Sequence, residues 1–285
     1  MIAVTAASGN LGHLVIDSLL RKVPGSEIVA AARNMGKIGD LASKGVAVRE
    51  ADYSKPDTLA RALAGVDKLL MISGSEVGRR VEQHKAVIAA TKNAGVKLLL
   101  YTSLLHCDSS PLLLREEHLQ TENAIRASGI PFAILRNSWY NENYLNAIVQ
   151  AAKLGVHYGC AGEGRISAAT RADYADAAVA VLTSTENQGG KTYELAGDDG
   201  FTLAQFAAEI ARHSGKPVRY ENLSESAYKD VLVKAGLPEP VAGFFASTDT
   251  GISKGALYDG GRQLHQLIGR ATTPIAATIA KVLGN

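Results

Sequence analysis

MIAVTAASGNLGHLV, residues 1–15, reads as a strand, a turn of small residues and the start of a helix. IAVT at 2–5 is a short apolar run, and Leu11, Leu14, Val15, Ser18 and Leu19 recur at helical spacing. Gly9 and Gly12 stand three apart, as in the turn that cradles the pyrophosphate of a dinucleotide. The first glycine of that fingerprint is missing, and Ala6 stands in its place. A helix N-terminus presents N–H groups and a partial positive charge to a phosphate. Ala6, Ala7, Ser8 and Gly9 are small enough to let a phosphate reach the backbone, and Gly12 lets the helix lie close to the strand. Read alone, the stretch is either such a loop with one substitution or an ordinary strand-to-helix turn.

Beyond it, strand and helix alternate. Strands are expected at EIVAAAR (27–33), VAVREAD (46–52), VDKLLMIS (66–73), VKLLLYTS (96–103) and IPFAILR (130–136). Between them, helices are expected at 37–43, from a cap at Ser54 through Pro56 and Asp57, at 81–95 closed by Gly95, and at 114–129 closed by Gly129. Nearly all-apolar strands separated by helices indicate a parallel sheet covered on both faces. The fold class is α/β, a Rossmann-type doubly wound sheet, whose ligand site lies at the carboxyl ends of the strands.

The second half is less regular. Helices are expected over 139–153, 171–184, 201–215 with Thr202 as cap, and 224–235, with strands at KTYELAG (191–197) and within KPVRYENLS (216–224). The remainder, rich in Gly with Pro238 and Pro240, reads as short helices and loops. This predicts a dinucleotide-binding domain over 1–150 and a smaller α/β lobe over 151–285, some of whose segments return to the sheet.

Composition narrows the function classes. The 285 residues are 46% hydrophobic and 20% charged, which suits a folded globular chain. The net charge of +2 comes from scattered Lys and Arg, so no footprint for a nucleic acid is present. Cys107 and Cys160 are too few and too isolated for a disulfide framework or a zinc site, and no metal is expected. No apolar run approaches the ~18 residues of a membrane helix, and Ser8, Gly9 and Asn10 interrupt the N-terminal apolar residues, unlike a signal peptide. A cytoplasmic protein without a membrane or nucleic-acid partner is the expectation.

The strand ends carry the chemistry. The second strand ends in Arg33, where NAD enzymes place an acid for the ribose 2′-hydroxyl. A guanidinium grips a 2′-phosphate that a carboxylate would repel, so Arg33 argues for NADPH, unless it is a solvated arginine. Asp52 ends the third strand, either to accept from an adenine amino group or to cap the next helix. Ser73, Gly74 and Ser75 suit a backbone running under a nicotinamide ribose, and equally a common turn. TSLLH (102–106) ends the fifth strand where short-chain dehydrogenases carry Ser or Thr ahead of Tyr-x-x-x-Lys. None of the ten tyrosines has Lys four residues on. RNSWYNENY (136–144) follows the sixth strand. Trp139 and Tyr140 are either a pocket wall for a flat ring or a packing cluster, and Asn137 suits a nicotinamide carboxamide.

Together AASGNLG (6–12), AARN (31–34), ISGSEVG (72–78), YTSLLHCDSSP (101–111), LRNSWYNENYL (135–145) and SAATRADYA (167–175) resemble the NmrA-like group of atypical short-chain dehydrogenases. Within it the likeness is to the NADPH-dependent quinone reductases, then the triphenylmethane reductases, and it runs nearly end to end. The resemblance implies an NADPH-binding Rossmann domain, a small C-terminal lobe and a cleft between them. It assigns the cofactor to Ala6, Ala7, Ser8, Gly9, Asn10, Leu11, Gly12, Arg33, Ser73, Gly74, Ser75, Asn137, Ser138, Trp139, Tyr140, Asn141, Glu142 and Arg171, to which Asp52 is added from its strand end. His118 lies about where related lignan-type reductases carry a lysine, and is either a proton donor or a surface residue. Tyr140 is the other candidate donor. Three residues depart from the group's pattern: Ala6 for a glycine, Ser138 for a glycine, and Cys107 for an alanine in the loop expected to face the cleft. The methyl of Ala6 is compatible with the turn if its φ is negative.

The implied function is hydride transfer from NADPH to a quinone or similar flat electrophile in the cleft. A quinone becomes a hydroquinone anion that water can protonate, so no Tyr-Lys relay is needed. The alternatives are an NADPH-dependent carbonyl or imine reductase (a ketoreductase), whose basic alkoxide needs a donor, and a non-catalytic NADP-sensing regulator. The partner is a small aromatic or carbonyl molecule, and a homodimer is expected.

Overall fold

The computed structural model describes residues 1–284. In chain order the elements are β1 Ile2–Val4, α1 Asn10–Leu20, β2 Ile28–Ala32, β3 Ala47–Glu50, α2 Pro56–Ala62, β4 Lys68–Met71, α3 Arg80–Asn93, β5 Leu98–Leu104, α4 Arg115–Ala127, β6 Phe132–Asn137, α5 Leu145–Leu154, β7 Val156–Gly159, α6 Arg171–Thr183, β8 Lys191–Leu195, α7 Leu203–Ser214, β9 Arg219–Asn222, α8 Glu225–Lys234, α9 Glu239–Ser253, α10 Gln263–Ile268 and α11 Ile275–Leu283. Among the described residues no helix is long and apolar enough to cross a membrane.

The chain folds as two compact units, each assembled from several segments. The first comprises Met1–Cys107, Glu116–Asn137 and Arg171–Tyr193; the second comprises Asp108–Arg115, Ser138–Thr170 and Glu194–Asn285. The first unit is built on a seven-stranded sheet of order β3-β2-β1-β4-β5-β6-β8. From β3 to β6 every pairing is parallel. The order reverses between β1 and β4, which marks the topological switch point of a doubly wound sheet.

Register explains why the strands are nearly all apolar. Ala3 lies opposite both Val29 and Leu69, and Leu69 opposite Leu99, a lateral row in which no residue is exposed. That row packs on Leu59 of α2, Val87 and Ile88 of α3 and Ile125 of α4. Each large aliphatic side chain so buried contributes about 1.5–3 kcal/mol of transfer free energy. Val4, Ala30, Leu70 and Leu100 alternate with the row. On their side α1 and α6 pack on each other, with α1 against β1 and β2 and α6 against β4. Just past α1, Arg21 reaches Asp176 of α6 at 2.8 Å, and Ser18 donates to the same carboxylate oxygen at 2.7 Å.

The second unit holds a parallel pair, β7 with β9, and the helices α5 and α7 to α11. Its core includes Tyr144, Phe206 and His157, with ring centroids 5.0 Å apart for both Tyr144–Phe206 and His157–Phe206. Strand β7 escaped the sequence reading because four residues are too short to show a period. The helix expected over 139–153 is a 3₁₀ turn at Asn141–Tyr144 followed by α5. The tail expected to be short helices and loops contains the 15-residue α9. Pro240 stands in its first turn, where the missing N–H costs no hydrogen bond, so it begins the helix rather than breaking one. Residues 35–44 coil as 3₁₀ helix, with Asn34 accepting from the Gly36 N–H at 3.0 Å.

Candidate functional site

The loops after β1 and β4 flank the switch point. Tyr53, from the turn after β3, ties them together. Its hydroxyl lies 2.5 Å from Thr5 Oγ1 and 2.8 Å from the Ile72 carbonyl oxygen. The Ile72 N–H also donates to Thr5 Oγ1, at 3.1 Å. The floor between the two loops is thus fixed by the side chains of Thr5, after β1, and Tyr53, after β3, on the backbone of Ile72.

Ala6 has φ +49, so the expectation of a negative φ is corrected. The reason lies in the hydrogen bonds on either side. The Ala7 N–H donates to Ala31 O at 3.0 Å, and the Gly9 N–H turns back to Ala6 O at 2.9 Å. Holding both bonds puts the residue between β1 and this turn in the left-handed region, where an alanine is strained. Gly12 is the second constraint. A Cβ there would lie 2.4 Å from Ala6 O and 2.8 Å from Ala7 Cα, both backbone atoms. Helix α1 therefore lies directly on the loop, as the spacing predicted. Gly9 is its N-cap and supplies no side-chain cap, so the first-turn amides point out past Ser8, Gly9 and Asn10, which are exposed. Leu11 is buried beneath them. An uncapped helix start on a small-sided turn fits a pyrophosphate.

At the end of β2, Arg33 is exposed and pairs with Glu76 at 2.6 Å. Asp52 follows β3 and makes a local turn. Its Oδ1 accepts from the Ser54 N–H at 2.9 Å, closing the turn before α2. The expected cap at Ser54 is corrected: Lys55 is the N-cap of α2, and Ser54 Oγ instead accepts from Gln83 at 3.2 Å. Asp52 was assigned to adenine or to the cap; its carboxylate closes the turn ahead of the Lys55 N-cap and does not itself cap α2.

The loop after β4, carrying Ser73, Gly74 and Ser75, is held at both ends. The Ser73 N–H donates to Thr102 Oγ1 at 2.9 Å. The Gly74 N–H donates to His84 Nε2 at 2.9 Å, while Arg80 Nε donates to Gly74 O at 2.7 Å. Glu117 of α4 takes the other end, accepting from the Gly78 N–H at 2.8 Å and from Arg80 at 3.1 Å. Because His84 Nε2 must accept, the proton sits on Nδ1, which faces Thr121 Oγ1 at 3.0 Å. Burial, then His118 and Arg80, push the His84 pKa down to about 3.

His118 is buried, so its reading as a surface residue is corrected. Its Nδ1 lies 2.7 Å from the Tyr101 hydroxyl. Burial and Arg80 push its pKa down to about 3, which keeps it neutral near pH 7. Ser103, at the short-chain dehydrogenase serine position, donates to Glu122 Oε1 at 2.5 Å. Glu122 has no exposed surface and also accepts from Arg136 at 3.0 and 2.7 Å and from Arg126 at 2.9 Å. Cys107, in the loop expected to face the cleft, is itself wholly buried. Burial and Glu122 push its thiol up to about 12.

Asn137 ends β6 in the first unit and is buried; its carbonyl accepts from the Leu105 N–H at 3.0 Å. Arg171 begins α6 in the same unit and is half-buried. Ser138, Trp139, Tyr140, Asn141 and Glu142 belong to the second unit. Ser138 is buried, its N–H donating to Leu195 O at 2.8 Å and its hydroxyl to Leu257 O at 3.3 Å. The Ala169 N–H donates to Trp139 O, and Tyr140 precedes the 3₁₀ turn half-buried. Asn141 has no accessible surface, and its amide donates to Thr273 O at 3.0 Å. That bond is a tie inside the second unit. The sequence reading missed Tyr53, His84, Glu76 and Glu117. It also missed His106, whose φ of +51 puts a second strained residue at the carboxyl edge of the sheet.

The profile of the NmrA-like family matches residues 1–272. The chain belongs to the NmrA-like family. This NmrA-like chain is 51% identical over 280 residues to quinone oxidoreductase 2 of Escherichia coli, covering 98% of both chains. It superposes on the crystal structure of the E. coli NADPH-dependent quinone oxidoreductase complexed with NADPH with a TM-score of 0.97, at 51% identity and full coverage of both chains. The Citrobacter triphenylmethane reductase complexed with NADP(H) matches at TM-score 0.95 and 39% identity, over 99% of this chain and all of that one. The seven-stranded sheet is thus the Rossmann-like sheet of NADPH-dependent reductases in this family.

Proposed function

We infer that this protein is an NADPH-dependent quinone reductase. The observation that carries the reading is the pairing of an uncapped helix start on a small-sided turn with an arginine, Arg33, at the end of β2. The 51% identity to an E. coli quinone oxidoreductase over nearly the whole chain supports it. When bound, NADPH supplies hydride for a flat electrophile. The first-turn amides after Gly9 hold the pyrophosphate, and the Arg33 guanidinium holds the 2′-phosphate through charge-assisted hydrogen bonds. The backbone of Ser73 to Ser75 supports the nicotinamide ribose, kept in place by Thr102, His84 and Arg80. His118, neutral and bonded to Tyr101, is a positioning residue behind that loop, and the proton a quinone needs comes from water. Residues 138–142, Tyr140 foremost, and Arg171 are assigned to the same function by the family resemblance alone. The division into a cofactor domain and a substrate lobe rests on the pattern of strands and helices as well as on that resemblance, and a cytoplasmic setting and a homodimer belong to the same reading. A ketoreductase reading would require a proton donor, a role that a neutral His118 does not fill and that would fall to Tyr140.

Steady-state oxidation of NADPH with a quinone tests the activity, and tight NADP binding without turnover would make the protein a sensor instead. Arg33→Ala tests the cofactor. A charge-assisted contact is worth about 1.5–3 kcal/mol, so KM for NADPH should rise at least about tenfold. An unchanged KM refutes the 2′-phosphate role.

A further inference from the structure

Glu76 is the residue that the reading above leaves unexplained. Its carboxylate sits in the loop after β4 and takes Arg33 at 2.6 Å on Oε1. Its Oε2 takes Gln83 Nε2 at 2.9 Å and Arg79 Nη1 at 3.4 Å. Ser54 Oγ completes the ring of polar groups, 3.4 Å from Arg79 and 3.2 Å from Gln83. One carboxylate thus stands between two guanidiniums at the place where a ribose 2′-phosphate is to be held.

Three features make this contact exchangeable. The Arg33 side chain is 63% exposed, so its pair with Glu76 is open to water and worth little. The loop does not depend on Glu76 for its position, because Gly74 is bonded to His84 and Arg80, and Gly78 to Glu117. Finally, a phosphate monoester carries roughly −1.5 to −2 charge at neutral pH, more than the carboxylate it would replace.

We propose that Glu76 is a resident counter-anion that the 2′-phosphate must displace from Arg33 and Arg79, and that it sets how strongly the protein prefers a phosphorylated nucleotide. This rests on the NADPH reading above. Displaced or not, the carboxylate lies close enough to repel the phosphate. A bare ribose hydroxyl meets no such repulsion, since it can donate to a carboxylate. Glu76 therefore weakens binding of a 2′-phosphorylated nucleotide and spares its unphosphorylated counterpart. It narrows a selectivity that Arg33 creates.

The test is calorimetric binding of 2′,5′-ADP and 5′-ADP to the whole chain, compared across wild type, Glu76→Gln, Arg33→Ala and the double variant. Neither probe involves turnover. Glu76→Gln should tighten 2′,5′-ADP about two- to fivefold, the span of an exposed ion pair, and leave 5′-ADP unchanged or weaker. In the Arg33→Ala background the gain should shrink, since the share that comes from releasing Arg33 is gone and only Arg79 and the direct repulsion remain. If Glu76→Gln leaves 2′,5′-ADP unchanged or weakens it while Arg33→Ala still loses affinity, the role of Glu76 is overturned and the NADPH reading stands. If Arg33→Ala binds both nucleotides as wild type does, both are overturned.

Discussion

Ala6 offers a perturbation whose sign separates a strained turn from an ordinary one. With φ at +49 its methyl sits in the left-handed region, which costs a non-glycine residue about 1–2 kcal/mol. Ala6→Gly removes that strain. It also frees the unfolded chain, a cost of about 0.4–1 kcal/mol. The balance is a gain of roughly 0.5–1 kcal/mol, or about 1–2 °C in Tm for a chain of this size. Ala6→Val moves the other way, because a β-branched side chain is worse still at positive φ. The expected order of stability is Gly, then Ala, then Val, the reverse of the order at an extended position. Denaturant unfolding of the cofactor-free chain measures it. Strain that persists in the free and loaded loop cancels from the binding equilibrium, so the affinity for NADPH should change little. A valine variant as stable as wild type, or a glycine variant about 1 kcal/mol less stable, would refute the left-handed turn.

Other outcomes follow from the same contacts. Gly12→Ala drives a methyl against the Ala6 carbonyl and should cost about 1–3 kcal/mol as overpacking; calorimetry should show weaker NADP binding, because the cradle itself must shift. Glu122→Gln leaves Arg136 buried without its counter-charge and should cost about 3–5 kcal/mol in urea unfolding. Burial alone would raise the Glu122 carboxyl, but Arg136, Ser103 and Arg126 bring it below its ordinary value. Its contribution is therefore complete above the unfolded carboxylate pKa and lost as pH falls through the folded one, and the Gln variant should lack that acid-limb loss. His84 and His118, held down to about 3, and His157, held to about 4, act at higher pH. The unfolded chain binds protons there first, so stability should fall as pH drops below about 6.5, by roughly 2 kcal/mol per histidine at pH 5. Unfolding between pH 7 and 5 measures this slope, and His84→Asn should reduce it by one proton; a flat profile would mean these imidazoles are not buried neutral.

The sheet was legible because its strands are short, apolar and punctuated by glycines and caps, so period and punctuation agreed. The cradle was legible in its spacing, but the backbone of Ala6 was not. Its left-handed φ comes from hydrogen bonds to Ala31 and Gly9, which only the folded turn brings together. His118 misled for a different reason. A histidine among Glu116, Glu117 and Gln120 looks solvated, yet the helix phase turns it inward onto Tyr101. Glu76 was invisible because a charged residue in a loop carries no period, and Glu117 because a carboxylate in the first turn of a helix reads as a solvated one; the value of each lies in which partner it meets.

Ser103 bears on how such a protein can be altered. In short-chain dehydrogenases the residue at this strand end works beside a tyrosine and a lysine. Here its hydroxyl is committed to a carboxylate that two arginines also claim. Grafting a Tyr-x-x-x-Lys pair onto this scaffold would therefore not yield ketone reduction, since the third member of the relay is turned away. Freeing it requires replacing Glu122 and Arg136 together by apolar residues, a coordinated change in the interior that no single step toward the new chemistry would reach.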